Sequence, residues 1–234
     1  MDQDIQSQLD RAKELLQELE KACDNDLRTE NVSGRTKNLS HDVLIKIKRL
    51  LDQSMRKFFE KYYSPNLSDK DKKSAKVYFP IASKKDDLRS ILGRAKMSNL
   101  ETSHQDFYKF IDSVQPYNKD YLWLRYLRDY ANITHIRLTP QILKKDNETK
   151  LGNAVHVGRG AKGVSMRNCS INGIPVNSKD INLEPLENFD QRLNIQRTTW
   201  VSFLFEDSDV NVLWLCKKSI ECGEKIIRKV LEFT

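Results

Sequence analysis

Pro140 separates two kinds of sequence, and no fold of a single secondary-structure type accommodates both. Before it, apolar residues recur at helical spacing; after it, they come in short runs of β type. The first helical stretch, residues 2–23, carries Ile5, Leu9, Ala12, Leu16, Leu19 and Cys23 at a 4-3-4-3-4 spacing. Such a seam needs a helical partner, which is either a later helix of this chain or a second copy of the first. Residues 24–39 are polar around Gly34 and read as a loop. Ser40 can cap a second helix to about Tyr63, with Ile47, Leu51, Met55, Phe58, Phe59 and Tyr62 on its apolar side and Lys and Arg opposite. Residues 64–76 read as a solvated linker, and VYFPIAS (77–83) as a short extended piece broken by Pro80. Short helices are expected from Ser83 and from Thr102 or Ser103, the latter ending before Pro116.

Beyond Pro140, AVHV (154–157), GVSMR (163–167), CSI (169–171) and TTWVSFLF (198–205) are the strand candidates. Asn172-Gly173 marks a type I′ hairpin turn. Ser208 or Asp209 is expected to cap a last helix that buries Leu213, Cys216, Ile220, Ile227, Val230 and Leu231. The expectation is therefore an α+β chain: a helical bundle over residues 1–140, then a small antiparallel sheet closed by the C-terminal helix over residues 141–234.

With 38% hydrophobic and 31% charged residues, a chain of 234 residues can build a real core. The start, MDQDIQSQLDRAKELL, has no basic segment followed by an apolar run, and no window reaches the roughly 20 apolar residues a membrane helix needs. A cytoplasmic protein away from the membrane is expected. Cys23, Cys169, Cys216 and Cys222 show no C-x-x-C spacing, so neither a metal nor any other cofactor is called for. A net charge of +7 favours contact with a polyanion such as RNA, although acids are interspersed throughout.

Gly158-x-Gly160-x-x-Gly163 matches the dinucleotide fingerprint in letters only, because a strand, VSMRNCSI, follows where a helix is required. His41, His104 and His156 have no second ligand type at metal spacing and read as surface or packing residues. Residues 121–141, YLWLRYLRDYANITHIRLTPQ, differ. Read as a helix at about 100° per residue, they place Arg125, Arg128, Asn132 and His135 on one stripe. Trp123, Tyr126, Leu127, Tyr130 and Ile133 fall opposite. Arg128 and His135 would then stand about 10.5 Å apart along the axis, a separation that two long side chains can bridge around a phosphate. Imidazole can carry a proton near neutrality and guanidinium can hold developing phosphate charge. An ordinary wet helix face would show the same stripe.

Arg128-Asp129-x5-His135 resembles the Arg-x4-6-His motif of the HEPN superfamily, in which a polar residue commonly follows the Arg. Those domains are helical bundles of prokaryotic toxins and defence proteins, many of them metal-independent endoribonucleases that work as dimers. The resemblance implies Arg128 as transition-state stabiliser, His135 as acid/base, Asp129 as a supporting polar group, and Arg125 and Asn132 as RNA contacts. It also implies a homodimer and leaves room for a protein partner or antitoxin. Other HEPN-like domains are non-catalytic interaction or dimerisation modules, the alternative expectation. Residues 77–141 also resemble a group of uncharacterised bacterial proteins with Phe-Pro-Ile, Gln-Pro-Tyr and His-x-x-Leu-Thr-Pro-Gln motifs. Here Thr134 stands where Lys commonly precedes the His.

Overall fold

A computed structural model describes residues 3–29, 31–132, 141–206 and 208–234. It is an α+β chain: helices first, small antiparallel sheets next, and a C-terminal helix last. The helices before the sheets are α1 (Gln3–Thr29), α2 (Gly34–Tyr62), α3 (Asp69–Ser74), α4 (Lys85–Arg94), α5 (Leu100–Ser103), α6 (Gln105–Ser113) and α7 (Trp123–Ala131). The strands are β1 (Gln141–Leu151), β2 (Val155–Val157), β3 (Met166–Ile171), β4 (Ile174–Ser178) and β5 (Ile195–Phe205), and α8 (Val212–Glu232) follows. Two compact units emerge, Met1–Gln141 with Phe205–Thr234, and Ile142–Leu204. No helix among the described residues is long and apolar enough to cross a membrane.

In the first unit α1, α2 and α8 pack on one another, and α7 packs on α2 and α8. The seam on α1 is buried at Ile5, Leu9, Ala12, Leu19 and Cys23, joined by Leu15 and Ala22, while Leu16 is half-buried. Its partners lie in this same chain. The helix runs on to Thr29, through part of the expected loop, because Asp26 is not a solvated residue. It is buried, and its Oδ2 accepts from Ser33 N (2.8 Å) and Ser33 Oγ (3.1 Å). Ser33 in turn caps α2 by accepting from Thr36 N at 3.2 Å, so α2 starts at Gly34, not at Ser40. Ser40 is buried inside α2, where its hydroxyl donates to Lys37 O (2.9 Å).

The expected linker over residues 64–76 contains the short, exposed α3, capped by Ser68. At the other end of the unit, Asn211 caps α8 by accepting from Trp214 N (2.8 Å), in place of Ser208 or Asp209. The C-terminal helix, expected with the sheet, groups with the helical unit, where Gly223 lets it approach α2 so closely that a Cβ would lie 2.8 Å from Ile47 Cγ2. Such docking joins residues far apart in the chain, and no local pattern announces it.

The second unit contains strands in the order β2-β1-β5 and a separate β3-β4 hairpin. β1 and β2 are antiparallel with Thr149 opposite Val157 and Leu151 opposite Val155. Asn172 (φ 52) and Gly173 (φ 78) form the expected hairpin turn, since a type I′ turn needs positive φ at both positions. GVSMR and CSI contribute to one irregular strand, β3, with Asn168 at φ 53 inside its bulge. β1 was not among the strand candidates, because QILKKDNETKL is too polar to advertise a strand. Among the described residues a small apolar cluster gathers Leu151, Val157, Ile171, Val176, Ile181, Phe189 and Leu193. Polar side chains reinforce it. The Arg197 guanidinium donates to Ile181 O (2.6 Å), Glu184 O (2.7 Å) and Thr149 Oγ1 (3.0 Å). Asn182 Nδ2 donates to Gly158 O (3.2 Å) and Ala161 O (2.9 Å), which fixes the glycine-rich turn.

Candidate functional site

α7 is amphipathic because Trp123, Leu124, Leu127 and Tyr130 recur on one side and are buried there. Tyr130 stacks on Phe205 at 3.8 Å between ring centroids, and its hydroxyl meets Ser208 Oγ at 2.7 Å. That anchoring turns Arg125, Arg128, Asp129 and Asn132 away from the core. The helix ends at Ala131, with Asn132 as its C-cap donating its N–H to Arg128 O. His135, with the rest of residues 133–140, lies outside the described residues, so the helical spacing argument is carried structurally as far as Asn132.

Opposite α7 runs VYFPIAS, an extended segment that belongs to no sheet. A strand without neighbours leaves its backbone groups without partners, and buried groups of that kind are costly. Side chains supply them here. Phe79 N donates to Asp52 Oδ1 (2.9 Å), Pro80 O accepts from Gln115 Nε2 (3.1 Å), Ile81 O accepts from Arg128 Nη1 (3.2 Å) and Ala82 N donates to Gln115 Oε1 (2.9 Å). Gln115 is fully buried and also donates to Ile111 O (2.8 Å). The Phe-Pro-Ile and Gln-Pro-Tyr pieces of the sequence are thus one structural device, with Gln115 as the clasp and Arg128 as a second.

Between the segment, α2, α4 and α7 lies a cleft of about 390 Å³. Its lining includes Lys48 and Asp52 from α2, Tyr78, Ile91, and Arg128 and Asn132 from α7. Lys48 Nζ donates to both Asp52 oxygens (2.5 and 2.7 Å) and stands 5.7 Å from the centroid of the Tyr78 ring. Burial pushes the Asp52 carboxyl above its ordinary value, against the opposing pull of Lys48 and the Phe79 N–H. Arg128, with its side chain about one third exposed, directs Nε and Nη2 at Asp129 Oδ1, both at 2.9 Å. Tyr78 is 57% exposed, and the Asn132 side chain makes no hydrogen bond among the described residues.

The structure therefore brings Arg128 and Asn132 together at one cleft. Asp129 supports Arg128 from the exposed side, and Arg125, also exposed, faces Asp129 at 3.8 Å without lining the cleft. Lys48 and Asp52 were not singled out in the sequence, and Tyr78 and Gln115 stood there only within the VYFPIAS and Gln-Pro-Tyr pieces, without a role. Lys48 and Asp52 are an i, i+4 pair on a face that reads as solvated, and only their tertiary neighbours reveal them. Of the residues read in the sequence as surface, packing or turn positions, His104 is packed, His156 is exposed and paired, and Gly160 and Gly163 lie in a turn. His104 packs against Tyr62 (4.6 Å) and Phe58 (5.3 Å), and His156 Nε2 pairs with Glu148 at 2.9 Å. Gly160 and Gly163 adopt φ +71 and +70 in a turn that leads to β3, so no helix N-terminus is offered to a pyrophosphate. Burial pushes the Cys23 thiol up to about 12 and also raises Cys216, which suits inert packing residues. Among the described residues no three His, Cys, Asp or Glu side chains gather as metal ligands. No family model, no curated protein and no solved structure matches this chain.

Proposed function

We propose that this chain is a HEPN-like protein of the toxin or defence type that acts on RNA as a homodimer and cleaves it through Arg128 and His135. The observation that supports this reading is the placement of Arg128 and Asn132, two members of the sequence stripe, at the mouth of a cleft that also holds Lys48. In the reaction, an RNA 2′-hydroxyl attacks the adjacent phosphate while His135 takes its proton, and the 5′-oxygen leaves with a proton returned by an imidazole. The products are a 2′,3′-cyclic phosphate and a free 5′-hydroxyl. Arg128 would hold the non-bridging oxygens as charge builds. Its present partner, Asp129, is exposed, and such pairs are worth only about 0–1 kcal/mol, so an incoming phosphate displaces it at little cost.

The test is incubation of an end-labelled single-stranded RNA with chelator present, using wild type, His135→Ala and Arg128→Lys. Wild type is expected to yield cyclic-phosphate ends. Arg128→Lys, which keeps the charge and loses the fork, should slow cleavage by about 100-fold, and His135→Ala should abolish it. RNA left intact by all three overturns the proposal. A second reading, a non-catalytic interaction module, draws on the bond from Arg128 to Ile81 O, which gives that guanidinium a structural task of its own. It predicts that Arg128→Lys lowers stability while His135→Ala changes neither stability nor RNA.

A further inference from the structure

We infer that the cleft takes one unpaired RNA base, stacked on Tyr78 and read along its edge by Asn132, while the phosphates remain outside along α7. This rests on the RNA reading above and names what that site recognises.

The charges decide against a phosphate inside the cleft. Lys48, the cation inside the cleft, is neutralised by Asp52 at 2.5 and 2.7 Å, whereas Arg128 stands at the mouth with the exposed Asp129 as its partner at 2.9 Å. An anion entering beside Lys48 would meet the Asp52 carboxylate without gaining an unpaired cation there, while one that stays outside can still reach Arg128. Arg125, too, lies outside on the exposed stripe beside Asp129, where a backbone phosphate can reach it in water. What the cleft does offer is an exposed aromatic ring, an amide with both donor and acceptor capacity, and an apolar wall at Ile91. A flat, neutral, hydrogen-bonding ring fits that set. Stacking on an aromatic side chain with edge contacts from an amide is how single-stranded RNA bases are bound. Lys48 lies 5.7 Å from the Tyr78 centroid and polarises the platform, while the ring's 57% exposure leaves surface for a base. About 390 Å³ falls within the range of small-ligand pockets.

The test uses the full chain and a fluorescently labelled 12-nucleotide RNA carrying 2′-O-methyl groups, which removes the nucleophile, presented as a single strand and as a duplex. Wild type is expected to bind the single strand at least about 10-fold more tightly, since only unpaired bases can stack. Tyr78→Ala should weaken single-strand binding about 10-fold and Asn132→Ala a few-fold, with duplex binding unchanged, and Tyr78→Phe should bind as wild type. Retained single-strand affinity in Tyr78→Ala and Asn132→Ala overturns the inference and leaves the RNA reading standing. Equal losses on single strand and duplex overturn it too, because the side chains would then serve backbone contact. Binding of neither RNA by wild type overturns both.

Discussion

In the helical unit the core is apolar and fully buried, from Leu9 on α1 through Ile47 and Phe58 on α2 to Ile227 on α8. In the sheet unit a small cluster of buried apolar residues is supplemented by side chains that bond to backbone, above all Arg197 and Asn182. The difference follows from geometry. Helices satisfy their own backbone and need only an apolar face, whereas short strands and long turns leave groups that other residues must satisfy. The extended segment beside the cleft is an exception inside the helical unit. It is held the way the sheet unit is held, by Asp52, Gln115 and Arg128. A segment fixed by polar side chains presents Tyr78 without burying it, and the candidate site is built there.

The contrast can be broken most forcefully at Phe58. It is 1% exposed and stacks on Phe107 at 3.8 Å, so Phe58→Ala should cost about 3–5 kcal/mol in chemical denaturation. In the sheet unit the comparable loss should come from a polar residue. Arg197→Met keeps most of the apolar stem and removes three hydrogen bonds from a charged donor; a loss of about 2–3 kcal/mol is expected, read as earlier amide exchange in residues 142–204. A cost near zero there would mean that the sheet unit is held by its small core alone.

A smaller effect tests how tightly the helices pack. Gly223→Ala gains about 0.5–1 kcal/mol of helix propensity but forces a Cβ to 2.8 Å from Ile47 Cγ2. Overpacking typically costs about 1–3 kcal/mol, so net destabilisation of about 1 kcal/mol is expected in a thermal melt, and a stabilised variant would show that α8 can shift. The smallest effect concerns pH. Asp52 titrates above its ordinary value in the folded chain, so the folded state takes up this proton before the unfolded state as pH falls. Asp52 therefore favours the fold more at pH near 4 than at neutral pH. The stability of wild type relative to Asp52→Asn should rise as pH drops through that window, and a falling difference would contradict the burial of Asp52.

The long helices were legible because their apolar periods are long, and the Asn172-Gly173 turn because its backbone demands those residues; α3, with no buried residue, was not. Asp26 and β1 were not, since a buried carboxylate and a polar central strand look like loop in one dimension. The place of α8 and the meeting of Lys48 and Asp52 with Arg128 depend on contacts between distant parts of the chain. That Arg128 and Asn132 lie away from the core was legible from periodicity alone, because the opposite face of α7 is apolar enough to fix which way they point.

The central claim, that RNA lies against the α7 side of this cleft, is tested most directly by ultraviolet crosslinking of a single-stranded RNA to the wild-type chain, with crosslinked peptides mapped by mass spectrometry. Crosslinks at Tyr78 and within residues 125–135 are predicted. Crosslinks confined to residues 142–204, or none at RNA concentrations that saturate binding, would contradict the account.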